Sequence, residues 1–195
     1  VGVLLMIVGF GWMGFSYFLS NTESVPAFGG EYTEGLVGRP LYLNPLLSQT
    51  NQVDQDLVKL VYNGLVRYDS NYQITPDLAE SWKISDDGKS YTFKIRRDVL
   101  WHDGVEFSAN DVYFTVQLIK DKAFKSPLAV SFEGVEVEIT GEEEITFILN
   151  EPYSGFLNLM TFGILPQHLW FEVPAENAHL AKYNQKPIGT GPYKV

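Results

Sequence analysis

The sequence predicts a mixed α/β fold, of the α/β or α+β class, in which a mixed sheet is built partly from β-hairpins. Hairpin patterns and amphipathic helix patterns follow one another along the chain, and no internal repeat or low-complexity tract separates them. The 195 residues are 45% hydrophobic, which is enough for a sizeable core and allows one domain or two small ones.

The first twenty residues form an apolar segment of membrane length. They contain no charged side chain, and the first charge in the chain is Glu23. About 20 apolar residues span a bilayer as a helix, whereas the apolar part of a secretory signal is usually about 7 to 15 residues long. Residues 1–20 therefore favour a retained membrane anchor, although residues 25–27 (VPA) also fit a signal peptidase site. Both interpretations export the rest of the chain, and residues 21–28 are expected to be a linker.

The folded body is predicted to begin near residue 29. Residues 30–38 (GEYTEGLVG) alternate weakly and suit a strand, and residues 39–47 (RPLYLNPLL) favour an extended segment interrupted by proline. An amphipathic helix follows and ends at Asn63-Gly64. Its apolar positions fall at i, i+4, i+7 and i+8, namely Val53, Leu57, Leu60 and Val61.

Two β-hairpins are predicted, because apolar residues alternate at period two on both sides of two turn sequences. The first turn is residues 86–88 (DDG), and the second is a Gly-Glu turn in residues 141–144. The facing apolar sets are Trp82 and Ile84 with Tyr91, Phe93 and Ile95 in the first hairpin, and Val135, Val137 and Ile139 with Ile145, Phe147 and Leu149 in the second.

The stretch VLWHDGVEFSANDVYFTVQLI (99–119) predicts a turn before a helix and not a reaction centre. Residues 103–104 (DG) are a turn dipeptide, and Ser108 and Asp111 have the spacing of a capping box. Trp101 is expected to be an apolar plug under the turn, and His102 a turn residue. A catalytic role for His102 would need a nucleophile or a second acid nearby, and the spacing of the sequence offers neither.

The C-terminal third predicts two helices and a loop. Residues 152–166 and 166–173 look helical, with Pro166 in the first turn of the second helix. Residues 184–195 (NQKPIGTGPYKV) predict a Gly-Pro loop that leads into a strand. The spacing of its glycines matches neither a P-loop nor a dinucleotide-binding loop, so tight bends in a cleft wall or between lobes are expected.

Composition excludes several classes of function. The net charge of −10 and the scattered Lys and Arg residues leave no basic stripe for nucleic acid. The absence of cysteine excludes disulfides, thiolate metal sites and a lipidated cysteine anchor. The three histidines have no metal-ligand spacing. The carboxylates of Asp54 and Asp56, on a predicted helix surface, and of Glu142 to Glu144, in a predicted turn, suit solvated faces. The sequence therefore predicts no cofactor, no metal site and no enzymatic activity.

Five motifs in one order give a family resemblance over about residues 29–195. The chain resembles the extracytoplasmic solute-binding proteins of peptide and nickel ABC importers, the family 5, oligopeptide-binding type. Residues 99–115 fit the family's W-x-D-G-x-P signature, with Glu106 in place of the frequent proline. The motifs are LNP (43–45), VYNGLVRYD (61–69), PDLAESWKISDDGKSYTFKIR (76–96), VLWHDGVEFSANDVYFT (99–115) and PIGTGPYKV (187–195).

The resemblance implies a two-lobed periplasmic-binding-protein clamp of the class II type. Residues 29–48 would start the first lobe, residues 49–165 would form an additional α/β subdomain, and residues 166–195 would return to the first lobe. The second lobe would lie outside this chain. The positions expected to brace the scaffold are Tyr62, Gly64, Trp82, Trp101, Asp103, Gly104, Asp111, Gly189, Gly191, Pro192 and Tyr193.

The function implied by the resemblance is binding of a solute outside the cytoplasm and its delivery to an ABC permease and ATPase. The solute would be an oligopeptide, with a nickel chelate or sugar left open. Thr50, Asn51 and Gln52 are the candidate ligand-binding residues, because their loop corresponds to a wall of the family's cleft and they carry hydrogen-bonding side chains. They match no family motif letter for letter, and ordering of the loop is the alternative role. A membrane-anchored receptor or sensor without a transport role, and a hydrolase on a similar body, are the alternatives.

Overall fold

The computed structural model describes residues 11–13, 15–17, 33 and 35–195. The chain divides into two compact units, residues 1–35 and residues 36–195. Residues 11–13 and 15–17 are helical, but most of the predicted anchor and the whole linker at 21–28 lie outside the described residues. Within the described part of the chain, no helix combines the length and the apolar character needed to cross a bilayer.

Residues 36–195 contain two antiparallel sheets and a set of mostly short helices. The two-stranded sheet is formed by β1 (Val66–Tyr68) and β2 (Ile74–Pro76). The four-stranded sheet has the order β3-β4-β6-β5, with β3 at Ala79–Ile84, β4 at Ser90–Ile95, β5 at Glu136–Gly141 and β6 at Glu144–Ile148. The α-helices are α1 (Gln52–Val61), α2 (Ala109–Lys120), α3 (Phe156–Leu159) and α4 (Gln167–Trp170), and 3₁₀ helices lie at Ser48–Thr50, Pro127–Phe132, Ala175–Leu180 and Lys182–Asn184.

Both predicted hairpins are confirmed, and their registers place the apolar residues on one face. Trp82 pairs with Phe93 across β3 and β4. Val137 pairs with Phe147 across β5 and β6. Gly88 adopts a φ of 68°, which explains why glycine ends the first turn. The pairings in the described sheets are antiparallel throughout, so the mixed sheet expected from the sequence does not occur among these residues.

The core lies between one face of the four-stranded sheet and α2. Phe93 and Phe147 are completely buried and meet edge to face at 5.7 Å between ring centroids. The helix contributes Val112, Val116 and Ile119, all fully buried as predicted. Burial of such side chains stabilises the fold by about 1.5 to 3 kcal/mol each. The predicted capping box is also present at the start of α2.

Several predicted elements differ from the structure. In α1 the buried stripe is Val53, Asp54, Val58 and Val61, whereas Leu60 is 42% exposed. The helices predicted over 152–166 and 166–173 are reduced to the single turns α3 and α4, and Pro166 precedes α4 as its N-cap. Apolar runs of this length fit a buried loop as well as a helix, because burial alone does not fix the backbone period.

Neither of the two predicted terminal strands is found among the described residues. Residues 33 and 35–38 have no strand pairing, and Val37 is fully exposed. Residues 192–195 are also not a strand, because the Tyr193 N–H donates to the carbonyl of Leu60 at the end of α1. A helix end therefore satisfies the backbone group that the sequence assigned to a sheet. The lobe boundaries at residues 48 and 165 stay a prediction.

The Trp-His-Asp-Gly turn (residues 101–104) is hydrogen-bonded to the Gly-Thr-Gly-Pro loop (residues 189–192). Trp101 is buried under the turn, as predicted, and packs edge to face on Phe107. His102 is more than a turn residue, because its Nε2 lies 2.8 Å from the Gly191 carbonyl and its Nδ1 accepts from the Gly189 N–H at 3.2 Å. These contacts assign the Nε2–H tautomer, since Nδ1 must be an acceptor.

The two loop glycines pack directly on the last turn of α1. A Cβ on Gly189 would lie 1.8 Å from the Val61 carbonyl oxygen, and one on Gly191 would lie 2.6 Å from that of Leu60. The Gly191 N–H donates to the Val61 carbonyl at 2.8 Å. Glycine is required at these positions because the backbones approach closely.

Substituting Gly189→Ala should destabilise the fold by about 3 kcal/mol, because the new methyl group overlaps the Val61 carbonyl and the loop must leave His102. The matched control is Gly35→Ala, whose Cβ would meet nothing within 4 Å and should change stability by less than about 0.5 kcal/mol. Chemical denaturation measures both. Equal stabilities for the two variants would contradict the packing described for this loop.

Candidate functional site

A cleft of 510 Å³ is formed where three distant segments of the chain meet. The first segment is residues 42–50, the second is residues 123–127 and the third is residues 175–179. Apolar side chains cover much of the cleft, and polar side chains occur in each segment. The lining residues are Tyr42, Leu47, Thr50, Ala123, Phe124, Lys125, Pro127, Ala175, Glu176 and His179.

The first wall of the cleft is fixed by the N-terminal turn of α1. Asp54 is completely buried, and its two carboxylate oxygens accept the backbone N–H groups of Leu41 at 2.7 Å and Tyr42 at 2.9 Å. Asn51 caps the helix and donates from Nδ2 to the Arg39 carbonyl at 3.0 Å. Hydrogen bonds to a charged group are worth about 1.5 to 3 kcal/mol each, so this wall is held firmly.

A pair of buried asparagines joins the first wall to the third. Asn44 donates from Nδ2 to Oδ1 of Asn184 at 3.2 Å, and Asn184 donates from its own Nδ2 to the Ala178 carbonyl at 2.8 Å. The Leu43 N–H donates to the Asn184 carbonyl, while the Leu46 N–H donates to Oδ1 of Asn44. Both asparagine side chains are almost fully buried, so leaving either unpaired would cost about 1 to 3 kcal/mol.

The second wall is tied to the first by one buried serine. The Ser126 hydroxyl donates to the Leu46 carbonyl at 2.9 Å across 80 residues of sequence. The same oxygen accepts the Leu128 N–H at 3.3 Å and so caps the 3₁₀ helix Pro127–Phe132. The serine therefore orients the chain on both sides of the segment that lines the cleft.

The lining side chains themselves keep their polar groups free. Among residues 35–195, the structure gives no hydrogen bond or ion pair to the side chains of Thr50, Lys125, Glu176 or His179. The polar groups that build the cleft are thus buried and paired, whereas those that face into it are unpaired. This division is the arrangement expected of a preformed binding site.

The three candidate ligand-binding residues have different surroundings. Thr50 lines the cleft. Asn51 uses its side-chain oxygen to accept the Val53 N–H, which makes it the helix cap. Gln52 is exposed and donates to Asp56 on the next turn of α1. The structure therefore brings Thr50 alone of the three to the cleft surface, and the other two order the loop.

The buried residues that build the cleft were not identified from the sequence. Asp54 was assigned to a solvated helix face, yet it lies among the buried positions of α1. A signal for its role exists, since Asp54 directly follows Val53 on the apolar side of the helix. Asn44 lies inside the LNP motif, but nothing in the sequence connects it with Asn184, which is 140 residues away.

Of the predicted scaffold residues near the turn, Asp111 lines a second groove, of 410 Å³. Burial raises the pKa of Asp111, although its carboxylate accepts the N–H groups of Ser108 and Gln167. Burial also acts on Asp103, but a hydrogen bond from His168 at 2.8 Å keeps the pKa of Asp103 below its ordinary value. In the described ranges no cluster of three or more His, Asp or Glu residues could hold a metal ion.

The other residues predicted to brace the scaffold differ in their burial. Tyr62 is buried, and a Cβ on Gly64 would lie 2.8 Å from the Met160 carbonyl oxygen. Gly104 has a φ of 88°, a backbone conformation that favours glycine in its turn. Trp82 is partly buried, whereas Pro192 and Tyr193 are exposed.

The sequence matches one protein-family model over residues 73–195. The model describes bacterial extracellular solute-binding proteins, family 5, middle region. These residues include β2 to β6, α2 and the Gly-Thr-Gly-Pro loop.

Curated relatives extend the similarity toward the N-terminus. The chain is 35% identical to the oligopeptide-binding protein AppA of Bacillus subtilis, over 87% of this chain and 32% of that protein. It is 32% identical to the dipeptide-binding protein of Escherichia coli, over 81% of this chain and 34% of that protein. The chain therefore spans about a third of the length of these relatives.

Solved structures of similar proteins share the fold. NikZ from Campylobacter jejuni, solved in complex with Ni(L-His), superposes with a TM-score of 0.73 at 42% identity, over 80% of this chain and 31% of that chain. AppA from Bacillus subtilis, solved in complex with a nonapeptide, gives a TM-score of 0.76 at 32% identity, over 82% of this chain and 32% of that chain.

Proposed function

Since the chain belongs to the family 5 bacterial extracellular solute-binding proteins, we propose that it is part of a receptor that binds short peptides outside the cytoplasm. The receptor would deliver its ligand to an ABC permease and the associated ATPase. The observation that carries the proposal is the preformed cleft, with its buried ties and its unpaired lining groups. Binding without turnover is the proposed activity.

The lining of the cleft suits an extended peptide. Apolar side chains from all three segments offer contact for peptide side chains. Unpaired polar groups, including the Thr50 hydroxyl, offer hydrogen bonds to peptide amides or to bridging water. We propose that Thr50 contacts ligand, whereas Asn51 and Gln52 hold the loop that presents it.

Two relatives support a peptide ligand. AppA and the dipeptide-binding protein are named for the peptides that they bind. A sensor role without transport has no support among the relatives named above. In the transport role a closing second lobe would complete the cleft, and ligand contacts would shift the protein toward the closed state.

The proposed peptide site can be tested in the full-length protein by isothermal titration with a mixed library of short peptides. Saturable binding is expected. Ala123→Trp should weaken it at least about tenfold, because a large side chain would fill the cleft from an exposed wall position. The control Asn71→Trp lies in the exposed β1–β2 turn and should bind normally.

Either of two results would count against this assignment. Failure of the full-length protein to bind any peptide would contradict the proposed function. Normal binding by Ala123→Trp would instead place the peptide elsewhere on the protein.

We also infer that residues 1–20 anchor the protein at the outer face of the membrane. The segment carries no charge, and the four described aromatic and methionine side chains in it, Trp12, Met13, Phe15 and Tyr17, are 61–76% exposed. Such side chains favour a lipid interface.

The inference of an anchor predicts that the protein stays with membranes after alkaline carbonate extraction and keeps residues 1–20 when its N-terminus is analysed by mass spectrometry. Deletion of these residues should release the protein into the soluble fraction, because no helix among the described residues 35–195 is long and apolar enough to cross a bilayer. A mature N-terminus at Phe28 would show cleavage and would contradict the anchor.

A further inference from the structure

We propose that His102 is a pH-sensitive switch for the loop of residues 187–195: its neutral imidazole holds the loop in place, and its protonated form releases it. The inference concerns the attachment of this loop and not the cleft. It therefore goes beyond the proposed function and does not depend on which ligand the protein binds.

His102 is hydrogen-bonded to the loop through both its ring and its main chain. Its Nδ1 accepts the Gly189 N–H at 3.2 Å, and its Nε2–H donates to the Gly191 carbonyl at 2.8 Å. The His102 N–H donates to the Gly189 carbonyl at 2.9 Å, and the His102 carbonyl accepts from Nζ of Lys194 at 2.9 Å. Because one ring nitrogen must accept and the other must donate, only the neutral Nε2–H form satisfies both ring contacts.

Protonation of His102 would place a second donor against the Gly189 N–H. The imidazolium ring carries a hydrogen on each nitrogen, so Nδ1 could no longer accept. Gly189 is buried, and a Cβ on it would already overlap the Val61 carbonyl, so the loop cannot move aside without leaving the end of α1. A buried N–H without an acceptor is costly. The attached loop is therefore favoured by the neutral ring and opposed by the protonated one.

The charged groups beside His102 do not pair with its ring. The ammonium group of Lys194 lies at the His102 carbonyl. The carboxylate of Asp103 accepts from His168 at 2.8 Å and from the Val105 N–H at 3.3 Å. Among residues 35–195, no carboxylate is hydrogen-bonded to the His102 ring. Protonation of His168 would strengthen its contact with Asp103, so the two histidines of this region respond to acid in opposite directions.

The loop has one further contact that leads to a titratable group. The Thr190 hydroxyl donates to Oδ1 of Asn63 at 3.1 Å, and Nδ2 of Asn63 donates to both carboxylate oxygens of Asp77, at 3.1 and 2.9 Å. Burial raises the pKa of Asp77, so this carboxylate needs its own control. Helix α1 faces the loop with backbone carbonyl groups, which accept the N–H groups of Gly191 and Tyr193 and do not titrate.

The balance of protons gives the direction and the size of the effect. A released loop leaves His102 exposed, and an exposed histidine gains a proton near about pH 6.5. The released form then binds one proton more than the attached form, so the attached form loses stability as the pH falls. Between about pH 7.5 and about pH 5.5, this linkage should increase the fraction of molecules with a released loop about tenfold.

The test is hydrogen exchange of the full-length protein, followed by mass spectrometry of peptides that cover residues 187–195. Protection factors, which correct for the effect of pH on intrinsic exchange, are compared at about pH 7.5 and about pH 5.5. In the wild-type protein the loop should lose about tenfold in protection, whereas peptides from β4 should keep theirs. The β4 peptides separate release of the loop from general unfolding in acid.

Four variants assign the response to one side chain. His102→Asn places an amide oxygen near the position of Nδ1 and cannot be protonated in this range, so its loop protection should not depend on pH. His102→Gln also lacks a titrating ring and gives the same prediction if His102→Asn is too unstable to measure. Asp77→Asn and His168→Gln remove the two neighbouring titratable groups and should keep the tenfold response.

Each outcome decides the proposal. Unchanged loop protection in the wild-type protein, an equal loss in β4, or a tenfold loss that persists in the His102 variants would overturn the switch. A loss that disappears in Asp77→Asn or His168→Gln would assign the response to that group and would overturn it too. The peptide titrations described above test the proposed function separately, so failure of one proposal leaves the other standing.

Discussion

The buried hydrogen bonds of Asn44, Asp54, Ser126 and Asn184 are the constraint on which the cleft depends. They join segments separated by as many as 140 residues. Asp54 and Ser126 bond to backbone groups of another segment, whereas Asn44 bonds to the side chain of Asn184. An apolar contact would also bring these segments together, but it would leave their relative register loose. Hydrogen bonds fix direction as well as distance, and an unpaired member would be costly in a buried position.

Helix α1 makes hydrogen bonds to other segments at both of its ends. The N-terminal turn of this helix holds residues 39–42, which lead into the first cleft segment. Its last turn contacts the Gly-Thr-Gly-Pro loop, which His102 also contacts. One ten-residue helix therefore links the cleft to the C-terminal end of the chain.

Local patterns in the sequence predicted the hairpins, α1, α2 and the capping box, because period and turn chemistry are encoded by neighbouring residues. The motif series also predicted the family correctly. Hydrogen bonds between residues that are distant in sequence were not predicted. Asn44 contacts Asn184, and His102 contacts Gly189, only in the folded chain. For the same reason Tyr193 was assigned to a strand, although a helix carbonyl accepts its N–H. Thr50 became a candidate by resemblance and not by any local signal, and its contact with ligand stays a proposal.

Native-state hydrogen exchange of the Leu41, Tyr42 and Leu43 amides tests the central claim most directly. These three N–H groups belong to no helix or strand, and they donate to Asp54 and Asn184. If the buried ties fix the cleft wall, their protection should approach that of the β4 amides in the sheet core. Exchange as fast as that of the unpaired residues 35–38 would show that the wall is not held, and would contradict the account.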